Sequence, residues 1–126
     1  MTDAPHLRAG RNGELFARRW LEARGLAHVC SNFRCRYGEL DLVMLERDCI
    51  VIVEVRYRAT NNYGGALPSI TAAKLQRIAK TIQQLTRQHR QLRELPLRFD
   101  VIALAGPLDK PVVTWCKRAC SFDDVD

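Results

Sequence analysis

The chain reads as a mixed α/β protein, a sheet with helices packed on both faces. Three observations lead to that class. Amphipathic helical patterns occur near the N-terminus and again after residue 70, a hairpin pattern lies between them, and a further β-rich run follows the second helix. The element order is α-β-β-β-α-β, with a short last strand as an option. Helices on both sides of a hairpin-containing sheet imply an α/β sandwich. A right-handed crossover through the second helix would bring the later strand beside the hairpin.

The first helix is expected from about Ala9 to Arg24, with Phe16, Trp20 and Ala23 on one face and Gly25 as its stop. Leu26 to Asn32 is a short apolar strand. Glu39 to Leu45 alternates and Cys49 to Tyr57 is rich in Val and Ile, so both are strands. Arg58 to Ser69, with Asn61, Asn62, Gly64, Gly65 and Pro68, is a loop. The second helix spans about Thr71 to Leu92, with Ser69 as cap and Leu75, Ile78, Ile82 and Leu85 as its apolar stripe. Arg98 to Ala105 is a strand, and Val112 to Cys116 is the optional last one. With 126 residues the chain has the length of one domain. That domain is expected at 9–118, between a flexible N-terminus at 1–8 and an acidic tail at 119–126.

Composition excludes several classes. No apolar run approaches a membrane span, and Met1 to Leu15 lacks a signal core, so a cytoplasmic protein with no membrane partner is expected. The five cysteines form no C-x-x-C pair, and with three scattered histidines they make no zinc pattern, which leaves reduced thiols. The net charge of +6 belongs to one segment. Lys74 to Arg98 holds seven basic residues and one acid, while the bases and acids of the rest cancel. Nucleic acid or another acidic surface is a natural partner for such a protein.

The sharpest signal is the hairpin. A turn at Arg47-Asp48 pairs Leu45 with Ile50, which sets Asp41 opposite Glu54 and Glu39 opposite Arg56, all four on one face. Facing carboxylates repel, and burying them unpaired is costly. Either a divalent cation such as Mg²⁺ compensates them, or Arg56 and Arg58 neutralise them in a salt-bridge ladder. Spacing alone favours neither. Glu14, Ala17 and Leu21 follow i, i+3, i+7, so Glu14 borders the sheet side of its helix and could add a third carboxylate. An exposed Glu14–Arg18 pair is the better reading of that residue alone. On the second helix Arg77, Lys80 and Arg87 lie opposite the apolar stripe, which is usually a solvated face. Beside an acidic metal site the same bases suit a phosphodiester. Tyr57 and Tyr63 are the aromatic residues near the site, and packing explains both.

These motifs resemble the YraN family. Gly13-Glu14-x-x-Ala17, Asn32-Phe-Arg34-x-Arg36-x-Gly38-Glu39-Leu40-Asp41-Leu42, Val53-Glu54-Val55-Arg56-Tyr57-Arg58, Tyr63-Gly64, Lys74 and Arg98-Phe99-Asp100-Val101 follow in family order across about residues 10 to 105. The resemblance implies a restriction-endonuclease-like fold near the Holliday-junction resolvases. It implies Asp41, Glu54 and Glu14 as ligands of Mg²⁺ or Mn²⁺, the Val55 carbonyl as an additional ligand, and Glu39 in support. It further implies a metal-dependent endonuclease acting on DNA, branched or damaged, with Arg58, Lys74, Arg77 and Lys80 as phosphate contacts. Resolvases pair to cut two strands, so a homodimer is also implied. One position departs from the family: Arg56 stands where E-V-K has Lys. Arg stays protonated and cannot be a general base, although it can steady a phosphate. Two alternatives follow: a nucleic-acid-binding module that does not cut, and a protein-interaction scaffold in which Arg56 and Glu39 simply pair.

Overall fold

A computed structural model describes residues 5–58 and 70–120. Helix α1 (Pro5–Glu22) is followed by β1 (Ala27–Cys35), β2 (Gly38–Glu46) and β3 (Cys49–Arg58). Helix α2 (Ala72–Gln88) then leads through a 3₁₀ turn (Arg90–Leu92) to β4 (Leu97–Ala105) and β5 (Val112–Cys120). The sheet order is β1-β2-β3-β4-β5. Neighbours are antiparallel except β3 and β4, which run parallel across the α2 connection. The mixed sheet flanked by helices is the expected class, and the optional last strand is present. Tyr63, Gly64, Ser69 and most of the expected Arg58–Ser69 loop lie outside the described residues.

Strand β3 is the spine. Ile50 and Ile52 point to one face and Val51 and Val53 to the other, and all four are buried. Helix α1 covers the face of Val51 and Val53 together with Leu42, Met44, Ile102 and Leu104. Helix α2 covers the face of Ile50 and Ile52 with Ile78, Ile82 and Leu85 of its expected stripe. A fully buried side chain of this kind contributes about 1.5–3 kcal/mol, so these two layers fix both helices.

Helix α1 corrects the sequence reading in one respect. Its fully buried positions are Ala17 and Leu21, not the expected Phe16, Trp20 and Ala23 face. Phe16 and Trp20 are half-buried and Ala23 is exposed. Small residues let the helix approach: a Cβ at Gly13 would lie 3.5 Å from Tyr57 Cβ. The helix stops as expected, at Gly25 with φ +95°. Gly25 N–H donates to Glu22 O and Leu26 N–H to Leu21 O, closing a Schellman motif with Leu26 buried. Helix α2 is capped by Thr71, whose hydroxyl accepts from Lys74 N–H at 3.1 Å. It ends at Gln88, where the Arg93 guanidinium donates to the carbonyls of Thr86 and Arg87. The 3₁₀ turn beyond it still delivers Leu92 to the core.

The far end of the α1 face carries an ionic network that sequence patterning did not reveal. Asp100 has no exposure. It accepts from Arg98, from Trp115 Nε1 at 2.9 Å and from the Arg118 amide at 3.1 Å. Arg98 also reaches Glu46 at 2.6 Å, so this member of the basic segment is internal to the fold. Trp20 packs edge-on against Trp115 at 5.6 Å and ties α1 to the network. Asp100→Ala would leave Arg98 buried with only the outer Glu46 for a partner. It should lower the unfolding free energy by about 3 kcal/mol, read as a lower urea midpoint. A loss under 1 kcal/mol would mean that the network is incidental.

Candidate functional site

The hairpin turn is Arg47-Asp48, with Arg47 at φ 56°. The register is the expected one from Glu46↔Cys49 through Leu42↔Val53, and there the ladder ends. The expected pairs Asp41–Glu54 and Glu39–Arg56 do not form. At this point β2 departs from strict alternation: Leu42 packs in the α1 layer, but Leu40 packs in the α2 layer with Val43. The strands part, and the carboxylate of Asp41 takes the place of a ladder carbonyl. Its Oδ2 accepts from Val55 N–H at 2.9 Å. The four charged residues expected on one face are therefore divided, for a backbone reason that side-chain spacing does not display.

Among the described residues, Glu14, Glu39 and Asp41 bring carboxylate oxygens within 4.8 Å of one another. Glu14 comes from α1, on the face opposite α2, and Asp41 sits at the parting of the strands where it is reached from both sides. Glu39 pairs with Arg34 across β1–β2 at 2.7 Å, not with Arg56. The Glu14–Arg18 pair is replaced by Arg18–Glu22. Asn32, held at φ 53° between the pairs Ser31↔Leu42 and Phe33↔Leu40, hydrogen-bonds Glu14. Its short side chain tolerates that left-handed conformation.

Glu54 faces α2 and is held from two directions. Lys74 Nζ lies 2.5 Å from Oε1, and Arg56 binds Oε2 through Nη2 at 2.7 Å and Nε at 3.0 Å. Glu39, Asp41, Glu54 and Lys74 line one cavity of about 40 Å³, floored by Ile52, Ile78 and Phe99. Arg58 ends β3 and is exposed, as are Arg77 and Lys80 on α2. Arg77 lines a neighbouring cavity, and Lys80 lies beside the ring of Tyr37. Sequence reasoning overlooked Tyr37. Its place in a two-residue turn gives no periodic signal, and only the docking of that turn on α2 brings it near the bases.

Burial raises the Asp41 carboxyl from its ordinary value of 3.8 to about 6. The Val55 hydrogen bond opposes this, the charges of Glu54 and Glu39 add to it, and Lys74 offsets part. Glu14 is raised by burial first and by the charge of Asp41 next, with the Asn32 hydrogen bond opposing. In this half-buried acidic group the charge of Lys74 offsets only part of what burial and the neighbouring carboxylates do to Asp41. Carboxylate oxygens with no thiol or imidazole among them are the donors that hard divalent cations prefer.

The family model described as Uncharacterised protein family UPF0102 matches residues 13–104. The chain belongs to this family. The match takes in Glu14, Glu39, Asp41, Glu54 and Lys74, and UPF0102 is the YraN family that the sequence motifs resemble. A UPF0102 protein of Alkalilimnicola ehrlichii is 45% identical over 116 residues, covering 92% of this chain and 89% of that one. A UPF0102 protein of Legionella pneumophila is 43% identical over 110 residues, covering 87% and 92%. A UPF0102 protein of Pseudomonas fluorescens is 39% identical over 119 residues, covering 94% and 98%. Among solved structures, Pyrococcus furiosus SfsA in complex with Ca²⁺ aligns with a TM-score of 0.38 and 14% identity, over 89% of this chain and 63% of that protein. No helix among the described residues of this UPF0102 protein is long and apolar enough to cross a membrane.

The raised carboxyl of Asp41 has a measurable consequence. Between about pH 4 and pH 6 the folded chain holds more protons than the unfolded one, so stability falls as pH rises through that window and stays lower above it. Asp41→Asn removes this cost. In EDTA at pH 7 the variant should be more stable than the parent by up to about 3 kcal/mol, and the difference should vanish near pH 4. Urea unfolding across that range checks it, and a difference independent of pH would contradict burial as the cause.

Proposed function

We propose that this protein is a divalent-metal-dependent nuclease acting on DNA. The observation that carries the reading is Asp41. A half-buried carboxylate where two strands part, with Glu14 and Glu39 beside it and Glu54 lining the same cavity, is a poor structural element and a good cation ligand. Asp41 and Glu14 would hold Mg²⁺ or Mn²⁺, with Glu39 close enough to join and Glu54 facing the same cavity. A divalent cation held by these residues would make a bound water more acidic and would stabilise negative charge on the phosphate.

The protein's own cations complete the site. Arg56 spends its fork on Glu54 and cannot accept a proton. Lys74 arrives from α2 and sets its ammonium on the other oxygen of the same carboxylate. From there it would steady the attacking water and the scissile phosphate, beside Arg56 on the other carboxylate oxygen. Arg56 orients Glu54. Arg58, Arg77 and Lys80 contact flanking phosphates. Arg56 also favours a second reading, a module that binds DNA without cutting it.

Cleavage of labelled single-stranded, duplex and four-way-junction DNA in Mg²⁺ or Mn²⁺ separates the two. The parent should cut, Asp41→Asn should not, and Lys74→Met should lose about 10²–10³ in kcat, the cost of one lost electrostatic stabiliser. Arg56→Lys should retain activity. Cutting by Asp41→Asn at the parent's rate would overturn the mechanism. Tight DNA binding with no cutting on any substrate would establish the second reading.

A further inference from the structure

Beside the acidic cavity lies a second one of about 110 Å³, lined by Tyr37, Gly38, Glu39, Lys74, Arg77, Ile78 and Thr81. The two share Glu39, Lys74 and Ile78, so they adjoin. The second cavity is built by the β1–β2 turn, Arg36-Tyr37, lying on α2. Gly38 makes that approach close: it sits at φ +155°, and a Cβ there would come 3.3 Å from Thr81 Oγ1. Thr81 is itself buried, with its hydroxyl donated to Arg77 O at 2.8 Å. The turn is thereby held at a fixed distance from the helix bases.

Tyr37 is half-buried and surrounded by positive charge. The Arg36 guanidinium lies 4.7 Å from its ring centroid and the Lys80 ammonium 5.5 Å. The acid in this wall, Glu39, is already matched by Arg34. An aromatic ring among cationic side chains, next to the acidic site, matches the two halves of a nucleotide: a flat base and a phosphate. We propose that this cavity is a subsite for one unpaired nucleotide adjoining the scissile linkage, with Tyr37 stacking on the base, Arg77 of the cavity wall on the phosphate, and Lys80, outside the wall beside the Tyr37 ring, adding charge. This rests on the reading that the substrate is nucleic acid. A base inside a duplex cannot reach a ring set in a cavity without leaving its stack, so the subsite selects strands with unpaired positions.

Fluorescence anisotropy in EDTA tests the subsite apart from cleavage, with a labelled oligothymidylate and a blunt duplex of equal length. Tyr37→Ala should weaken binding of the single strand by about tenfold, within the range for one lost base–aromatic stack, and leave the duplex unchanged. Tyr37→Phe keeps the ring and removes only the hydroxyl that accepts from Arg36 Nη2; it should keep the parent's preference for the single strand, which separates stacking from damage to the turn. Lys80→Ala should weaken both DNAs and reduce the salt slope by about one. Equal losses on both DNAs for Tyr37→Ala, no loss, or no single-strand binding by the parent at low salt would each overturn the subsite. Tyr37-dependent strand binding without any cutting in Mn²⁺ would retire the nuclease and keep the subsite. Cutting with Tyr37-independent binding would do the reverse.

Discussion

The hydrogen bond from the Val55 amide to the Asp41 carboxylate governs the working end of the molecule. Up to Leu42↔Val53 the hairpin is held by backbone pairs, and beyond it a side chain takes over the acceptor. That exchange lets β2 leave β3, shifts Leu40 into the α2 layer and leaves Asp41 open to both faces of the sheet. Glu14 can then approach from α1 while Glu54 and Lys74 approach from the α2 side. A regular hairpin would have stacked four charges on one face, out of reach of helix α1.

The two ends of the sheet use acidic residues in opposite ways. Asp100 is saturated by Arg98, Trp115 and a backbone amide, and it ties β4, β5 and the turn end of β2 together. Asp41 has one amide donor and like charges around it, and burial pushes its carboxyl up. Breaking the pairing of a buried acid such as Asp100 is costly, and a carboxylate raised like Asp41 is tolerated where a site needs it.

Much of this was legible in the residues. The Val and Ile run of β3, the alternation of β2 and the stripe of α2 gave the sheet, the hairpin register and the crossover, because hydrophobic periodicity reports burial directly. The motif resemblance pointed to Glu14, Glu39, Asp41, Glu54 and Lys74, and the fold brings them to one end of the sheet. What stayed hidden were departures from periodicity. The β1 strand continues past Asn32 to Cys35, but a bulge between His28 and Cys30 and the left-handed Asn32 break its pattern. The Arg56–Glu54 pair of the salt-bridge alternative forms, whereas the pairing of Glu39 with Arg34 in place of Arg56 depends on where a ladder ends, which no spacing rule encodes. On α1 the spacing of Glu14, Ala17 and Leu21 did mark the buried face, whereas Gly13, which carries no side chain, gave no hydrophobic signal of its close approach to Tyr57.

Lys74 and Arg56 hold the same carboxylate from different parts of the chain, and this has a consequence for assembly. Glu14, Glu39, Asp41 and Glu54 are all synthesised before the helix that contains Lys74. A nascent chain that has folded its hairpin presents Glu54 with only half of its countercharge. The parallel β3–β4 pairing that places α2 over the sheet is also a long-range contact, and such contacts form late because the intervening loop must close first. The countercharge of Glu54 is therefore complete only when α2 is in place. Arrival of one helix both closes the second core layer and installs the last charge.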